Sequence, residues 1–274
     1  MMIKPKISVI TVTRNHATFL ETCMISVAGQ TYRNIEHIII DGDSSDDTAR
    51  MVSSFMKSNP HIQFYSEPDS GIYDAMNKGI LKSSGEWIYF LGSDDIFYRD
   101  DVLDHFVNHP LYRTGTVIYG NVKVKGDASW APEGSIYDGM FTLKKLLKKN
   151  LCHQSIFYSR DVVAKSGFFE KKYSVCADWD YNIRCFSQAD FVYLDFIVAI
   201  FQGGGFSTLN QETYLQKELP ENILRYFNLD PEGKEVHDPD SPFYEILSPI
   251  RRKQNPAKYY FEKVLTLPSK LFRD

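Results

Sequence analysis

The sequence predicts an α/β fold: a mixed, mostly parallel sheet flanked by helices, followed by a helical C-terminal extension. Three observations predict it. Short runs of β-branched residues alternate with helical stretches through the first half of the chain. The connections between strands are long enough to carry right-handed crossovers, as parallel strands require. Polar, Asp-rich loops follow several strands, and in open α/β sheets the carboxyl ends of the strands are where ligands bind.

Taken in order, Lys6–Thr13 is β-rich and ends in the turn Arg14-Asn15-His16. Ala17–Ala28 is helical, with Gly29 as its stop. Ile35–Asp41 is a second buried strand, its Ile38-Ile39-Ile40 run too short and too branched for a separate helix. Thr48–Lys57 is a helix closed by Asn59-Pro60, and Ile62–Ser66 a third strand. Gly71–Ser83 is a helix, Glu86–Leu91 a fourth strand and Asp100–Asn108 a helix. In the second half, Thr116–Val124, Gln154–Tyr158 and Phe191–Ile200 read as strands, and Phe141–Lys149 and Asp178–Ser187 as helices. Beyond Gln211 the chain is helical and Pro-punctuated. A catalytic domain over 1–210, with halves of about 1–95 and 96–210, and an extension over 211–274 are expected.

At 274 residues and 43% hydrophobic, the chain can bury a full core without staples. The net charge of −4 and the acidic loops argue against a nucleic-acid partner. Cysteines 23, 152, 176 and 185 show no metal or disulfide spacing, which suggests reduced thiols and a cytoplasmic setting. The run Ile7–Val12 is too short for a signal peptide or a membrane span.

Three polar segments lie at strand ends: Thr11–Asn15, Asp41–Asp47 and Gly92–Asp95. Carboxylates crowded together repel, and a hard divalent cation is the usual reason for such a cluster. For the 41–47 loop the alternative is helix capping by Ser45 or Asp46. An EF-hand fails there, because Asp46 stands where the Gly should be and Val52 where the bidentate Glu should be. There is no G-x-x-x-x-G-K-S/T, no G-x-G-x-x-G after the first strand and no G-x-S-x-G. These absences exclude a P-loop NTPase and disfavour a dinucleotide oxidoreductase or an α/β-hydrolase. Gly203–Gly205 reads as a flexible turn or a phosphate cradle.

The run Ile7-Ser8-Val9-Ile10-Thr11-Val12-Thr13-Arg14-Asn15 and the run Ile39–Thr48 resemble the nucleotide half of inverting family-2 glycosyltransferases of GT-A fold. Ser66–Gly79 resembles the bacterial polysaccharide, colanic-acid-type branch. The likeness covers roughly residues 5–210. It implies nucleotide contacts from Thr11, Thr13, Arg14, Asn15, Asp41, Asp43, Asp74, Asn77, Lys78 and Ser93. Lys78 would take over a charge that relatives carry where this chain has Met76. Asp94 matches the last Asp of the family's D-x-D element, whose first Asp is here Gly92. Asp94 and Asp95 are therefore the expected ligands of Mn²⁺ or Mg²⁺. Ala177-Asp178 matches the E-D segment, so Asp178 is the expected general base, a role an acceptor hydroxyl needs filled as it attacks; helix capping is its alternative. Cys152-His153-Gln154 resembles a His-Gln pair of the same branch. His153, Gln154, Trp179 and Asp180 are expected near the acceptor or donor sugar.

The implied activity is inverting, metal-dependent transfer of a sugar from a nucleotide diphosphate, with UDP preferred, to a hydroxyl of a glycan or lipid-linked acceptor in bacterial surface polysaccharide synthesis. No Q-x-x-R-W element occurs, which favours single transfer over polymerisation. The rivals are a sugar-1-phosphate nucleotidyltransferase and a silent nucleotide-sugar-binding subunit. In residues 250–274, cations from Arg251 to Arg273 alternate with aromatic and aliphatic residues. Such a tail suits either peripheral contact with anionic lipid or packing on protein. Homo-oligomerisation is compatible with the sequence.

Overall fold

The computed structural model describes residues 4–126, 128, 130–205 and 214–256. They form two compact units, one of residues 4–141 with 150–205, the other of residues 142–149 with 214–256. Residues 142–149, which the sequence assigns to the acceptor half, group with the second unit.

The first unit opens as predicted: β1 (Ile7–Thr13), α1 (Ala17–Ala28), β2 (Ile35–Asp41), α2 (Thr48–Met56), β3 (Ile62–Ser66), α3 (Ile72–Lys82) and β4 (Trp87–Phe90). β1 lies between β2 and β4, parallel to both, and β3 lies outside β2. Every residue of β2 and of β4 is buried. Strands covered on both faces carry continuous apolar runs rather than an alternation. Helix α3 seats directly on β1: a Cβ at Gly79 would come 2.3 Å from Cγ2 of Ile10, so only glycine allows this approach.

At β4 the sheet changes character. β8 (Ile156–Ser159) runs antiparallel to β4 and to β6 (Val117–Lys125), and β9 (Phe191–Gln202) runs parallel to β6. The full order is β3-β2-β1-β4-β8-β6-β9-β5, with β5 (Ile96–Phe97) antiparallel to β9 and β7 (Ile136–Tyr137) beside β6. Helices α4 (Val102–Asn108), α6 (Arg160–Ser166) and α7 (Ala177–Phe186) complete the unit. The sequence does not announce β5, β7 or α6, since two-residue strands and a single short helix show no period. The consequence for the site is geometric. An antiparallel β8 begins where β4 ends, so the 3-10 turn His153–Ser155 ahead of it arrives at the carboxyl end of β4. β9 finishes at the same end, against β5.

Aromatic rings fill the core beneath: Phe106 stacks on Phe157 at 4.0 Å, Tyr89 on Phe157 at 4.7 Å, and Trp87 meets Phe106 edge-on at 5.0 Å. Trp87 spends its indole N–H on the Tyr112 hydroxyl, 2.7 Å away, so its burial leaves no polar atom orphaned.

The second unit holds α5 (Leu143–Leu146), α8 (Tyr214–Tyr226), α9 (Lys234–His237) and α10 (Ser248–Gln254). Arg251, the first conspicuous cation of the tail, points inward. Its Nη1 donates to the carbonyls of Val236 and Tyr244, and its guanidinium lies 3.7 Å from the centroid of the Tyr244 ring. Lys253 pairs with Glu221 at 2.9 Å. The rest of the basic and aromatic tail, 257–274, lies outside the described residues. No helix among the described residues is long and apolar enough to cross a membrane.

Candidate active site

The carboxyl ends of β1 and β2 form one interlocked surface. Asn15 adopts a left-handed backbone, φ 53°, which Asn tolerates better than most residues. Its N–H donates to Ser44 Oγ at 2.7 Å, and its Oδ1 accepts from Ser45 N at 2.8 Å. Asp41 is fully buried and accepts from Ser44 N, the Ser44 hydroxyl and Ser66 Oγ, the last at 2.7 Å. Asp46 Oδ1 accepts from Thr48 N at 3.0 Å just ahead of α2, whose N-cap position falls on Asp47. Arg14 and Asp43 stay exposed. A Cβ on Gly42 would meet Asp69 Oδ2 at 2.5 Å and Arg14 Cδ at 3.3 Å. The glycine thus lets the two side chains converge over it. Ser93 ties this surface to the end of β4 by bonding His16 Nδ1 at 3.0 Å.

At the end of β4, Asp94 is partly exposed and Asp95 is buried. Asp95 Oδ1 accepts from Gln202 N at 2.7 Å, and its Oδ2 accepts from Gln154 Nε2 at 2.6 Å. Burial pushes the Asp95 carboxyl up, the neighbouring Asp94 charge adds to this, and the two donors pull part of it back. One residue earlier in the same turn, His153 Nδ1 stands 3.4 Å from Asp178 Oδ2.

Asp178 occupies the first turn of α7 with 13% of its side chain exposed. Its Oδ1 accepts from Trp179 N at 2.9 Å and from the Tyr73 hydroxyl at 3.0 Å, and its Oδ2 from Asn150 Nδ2 at 2.9 Å. The N-cap position of α7 falls on Cys176, so none of these contacts is an N-cap bond. Burial and the Asp178 charge push the Tyr73 phenol well above its usual range, so it keeps its proton, which is shared between the Val175 carbonyl and Asp178 Oδ1.

Of the other residues expected at the nucleotide, the side chains of Thr11, Asp74, Asn77 and Lys78 have partners among the described residues, and the Thr13 hydroxyl does not. Thr11 is buried, its hydroxyl 3.0 Å from His37 Nε2, because it faces the core of the doubly covered β1. Thr13 is also buried, and its hydroxyl has no hydrogen-bond partner among the described residues. Asp74 accepts from Ser70 N at 2.9 Å and pairs with Lys171 at 3.0 Å; the Ser70 bond, with Lys171 assisting, holds its carboxyl below the usual range. Asn77 clamps Phe169 in both directions, donating to its carbonyl and accepting from its N–H. Lys78 donates to the Pro68 carbonyl at 2.6 Å and pairs with Glu67, while Met76 is itself buried. Asp180 is fully buried and paired with Arg184 one turn along α7. Gln154 donates its side-chain N–H to Asp95.

A family profile described as glycosyl transferase family 2 matches residues 8–165. The chain belongs to that family. A PGL/p-HBAD biosynthesis glycosyltransferase of Mycobacterium bovis is 35% identical over 228 residues, 80% of this chain and 86% of the relative. An uncharacterised glycosyltransferase of Mycobacterium tuberculosis is 30% identical over 264 residues, 88% and 95% of the two chains. Among solved structures, S. aureus TarS 1-349 in complex with UDP-GlcNAc superposes with a TM-score of 0.68 at 16% identity, over 96% of this chain and 76% of TarS. The mannosyltransferase PcManGT from Pyrobaculum calidifontis, in complex with GDP-Man and Mn²⁺, gives 0.59 at 16%, over 93% and 71%. The fold is GT-A, and the protein is a glycosyltransferase.

Within the family, Gly92 stands where the first Asp of the D-x-D element is expected, and its neighbours explain it. A Cβ at 92 would lie 2.4 Å from Asp95 Oδ2 and 3.0 Å from Asp94 Oδ1. The carboxylate of Asp95 already fills the space next to residue 92. On the other side of Asp94, a Cβ on Gly205 would come 3.1 Å from its Oδ2. Glycines on both flanks leave the Asp94 carboxylate open, and hard oxygen donors of this kind suit Mg²⁺ or Mn²⁺. Sequence reasoning missed Asp69, Tyr73, Asn150, Lys171, Asn182 and Gln202, since Asn, Gln and Tyr carry no spacing signal. The best available clue was the D-S-G-I-Y-D run itself, which holds two of them.

Proposed function

We propose that this family-2 glycosyltransferase is an inverting, metal-dependent, non-processive enzyme. It would move one sugar from a nucleotide diphosphate, UDP in preference, to a hydroxyl of a glycan or lipid-linked acceptor in surface glycoconjugate synthesis. One observation carries the reading. Consecutive residues His153 and Gln154 touch Asp178 and Asp95 respectively, at 3.4 and 2.6 Å. A three-residue turn thereby joins the proposed base to the proposed metal carboxylates. The UDP-GlcNAc and GDP-Man complexes of the structural neighbours, and the glycolipid-pathway name of the mycobacterial relative, support the donor and acceptor classes.

Arg14, Asp43 and Asp69, the outward-facing groups above β1 and β2, would meet the nucleoside. Asp94 would hold Mn²⁺ or Mg²⁺, with Asp95 behind it. Among the described residues no cluster of three or more His, Cys, Asp or Glu gathers, so phosphate oxygens and water would complete the shell. Bound there, the ion supplies charge neutralisation for the departing diphosphate. Asp178 takes the proton of the acceptor hydroxyl as its oxygen attacks the anomeric carbon. The new C–O bond forms on the face opposite the bond to diphosphate, which breaks with its electron pair leaving on the nucleoside diphosphate. One displacement inverts the centre without a covalent enzyme intermediate.

Incubation with a panel of nucleotide sugars, Mn²⁺ and a phenyl glycoside acceptor tests this. Nucleoside diphosphate release with an inverted glycoside supports it. Pyrophosphate release would mark a nucleotidyltransferase, and no turnover of any donor a silent binding subunit.

A further inference from the structure

The polar groups behind Asp178 form a chain with a single direction. The two ends of a primary amide differ only in what they can do: oxygen accepts and nitrogen donates. In Asn150 the choice is forced, because Oδ1 receives the N–H of Leu151 at 2.9 Å and Nδ2 of Asn182 at 3.0 Å. The nitrogen end must therefore face Asp178, and it donates to Oδ2 at 2.9 Å. Asn182 is forced in turn. Its Oδ1 receives the hydroxyl of Tyr158 at 2.7 Å, and its Nδ2 also reaches the Leu151 carbonyl at 3.3 Å. Tyr158 and Asn182 are fully buried. Burial pushes the Tyr158 phenol well above its usual range, so it keeps its proton and remains the donor at the head of the chain.

We infer that Tyr158, Asn182 and Asn150 are a positioning relay that fixes the orientation of the Asp178 carboxylate for proton abstraction. The inference rests on the reading of Asp178 as the base. Each link donates toward the carboxylate, and hydrogen bonds in series reinforce one another in a low-dielectric interior. The relay spans three elements: β8 carries Tyr158, α7 carries Asn182 one turn beyond Asp178, and Asn150 precedes the 3-10 turn. The effect on the carboxylate follows by counting lone pairs, two on each oxygen. Trp179 N takes one on Oδ1 and Asn150 one on Oδ2, while Tyr73, whose single proton also serves the Val175 carbonyl, lies against the second position on Oδ1. Among the described residues, the other hydrogen-bonding group against Oδ2 is His153 Nδ1, at 3.4 Å, too long for a strong bond. The second position on Oδ2 is where an acceptor hydroxyl would deliver its proton. Without Asn150 the carboxylate loses the donor that keeps Oδ2 turned this way.

The test compares Asn150→Ala and Tyr158→Phe in wild-type and Asp178→Asn backgrounds. Turnover is read as UDP release from UDP-glucose and UDP-GlcNAc with a phenyl glycoside acceptor, and donor-site integrity as UDP binding by calorimetry. In the wild-type background Asn150→Ala should lower kcat on the order of ten- to a hundredfold, the scale of a misplaced catalytic group, with donor KM and UDP affinity unchanged. Tyr158→Phe, two links away, should lower kcat by a smaller factor with the same pattern. In the Asp178→Asn background neither substitution should reduce the residual rate further, because the group they orient is gone. Wild-type kcat in Asn150→Ala or in Tyr158→Phe overturns the relay. An undiminished effect of either in the Asp178→Asn background overturns it as well, since that is the mark of a merely structural role. If Asp178→Asn itself retains wild-type turnover, the base assignment fails, a separate outcome that removes the relay's purpose.

Discussion

Replacing Gly92 with Ala adds one methyl group at the most crowded point of the proposed metal loop. The backbone does not resist it, because φ at Gly92 lies outside the left-handed region. In such a position Gly→Ala ordinarily stabilises by about 0.4–1 kcal/mol through the unfolded chain. Here the new Cβ would sit 2.4 Å from Asp95 Oδ2, which must move. That oxygen is buried and held by Gln154 at 2.6 Å, while Gln202 holds its partner oxygen at 2.7 Å. Breaking the bond to Gln154 leaves a buried polar pair unsatisfied, which costs about 1–3 kcal/mol. The loss exceeds the gain, and a net destabilisation of roughly 1–2 kcal/mol is expected, or a melting temperature lower by about 2–8 °C for a domain of this size. Urea and thermal unfolding of Gly92→Ala, Gln154→Ala and the double variant form the assay. The double variant should be less destabilised than the sum of the singles, because both remove the same bond. Additive losses, or a Gly92→Ala protein as stable as wild type, would refute the claim that Asp95 fills the place next to residue 92.

Three further outcomes follow from the same contacts. Exchanging Mn²⁺ for EDTA should weaken UDP binding by the wild type in calorimetry, while Asp94→Ala should bind weakly and equally in both; wild-type affinity unaffected by EDTA would remove the metal from the scheme. At the far end of β1 and β2, burial alone would raise the Glu36 carboxyl, but Lys6, Ser8 and Ser84 hold it down to about 2 from 4.5. Such a group contributes stability above its unfolded value and loses it as pH falls toward 2, so the advantage of the wild type over Glu36→Gln should be full at pH 7 and shrink progressively below pH 4.5 in urea titrations. Burial, aided by His61, holds His37 at about 3, below its usual 6.5. The unfolded chain therefore binds a proton first, and the His37 contribution to stability should fall by about 2 kcal/mol between pH 7 and 5, read as the difference between the wild-type and His37→Gln titrations because the raised Asp95 carboxyl works in the opposite direction over that window.

The nucleotide half was legible because its strands are branched apolar runs and its helices end on Gly or Pro. The loops Asp41–Asp47 and Gly92–Asp95 fell at strand ends as the topology rule requires. Direction within a strand was not legible. β1 is covered on both faces, so nothing in the alternation says that Thr11 turns toward His37 rather than the crevice. The helix α3 was recognised, but the fates of Asn77 and Lys78 depend on Phe169, far along the chain, and on the Pro68 carbonyl. Asp95 was visible as a carboxylate. Its partners, Gln154 and Gln202, reach it only because β8 runs antiparallel to β4 and β9 ends beside β5. Long-range pairings of this kind leave no local periodicity to read.

The central claim is that Asp178 takes the acceptor's proton, and one comparison tests it directly. Asp178→Asn keeps the shape of the side chain and removes its basicity. Turnover of the active donor should fall at least about a hundredfold, the usual scale for a lost general base, while UDP affinity stays at the wild-type value. Asp180→Asn, two residues along the same helix but buried against Arg184, is the matched control and should keep its rate in whatever fraction remains folded. If the Asp178→Asn protein turns over at the wild-type rate, or loses UDP binding along with turnover, Asp178 is not the base.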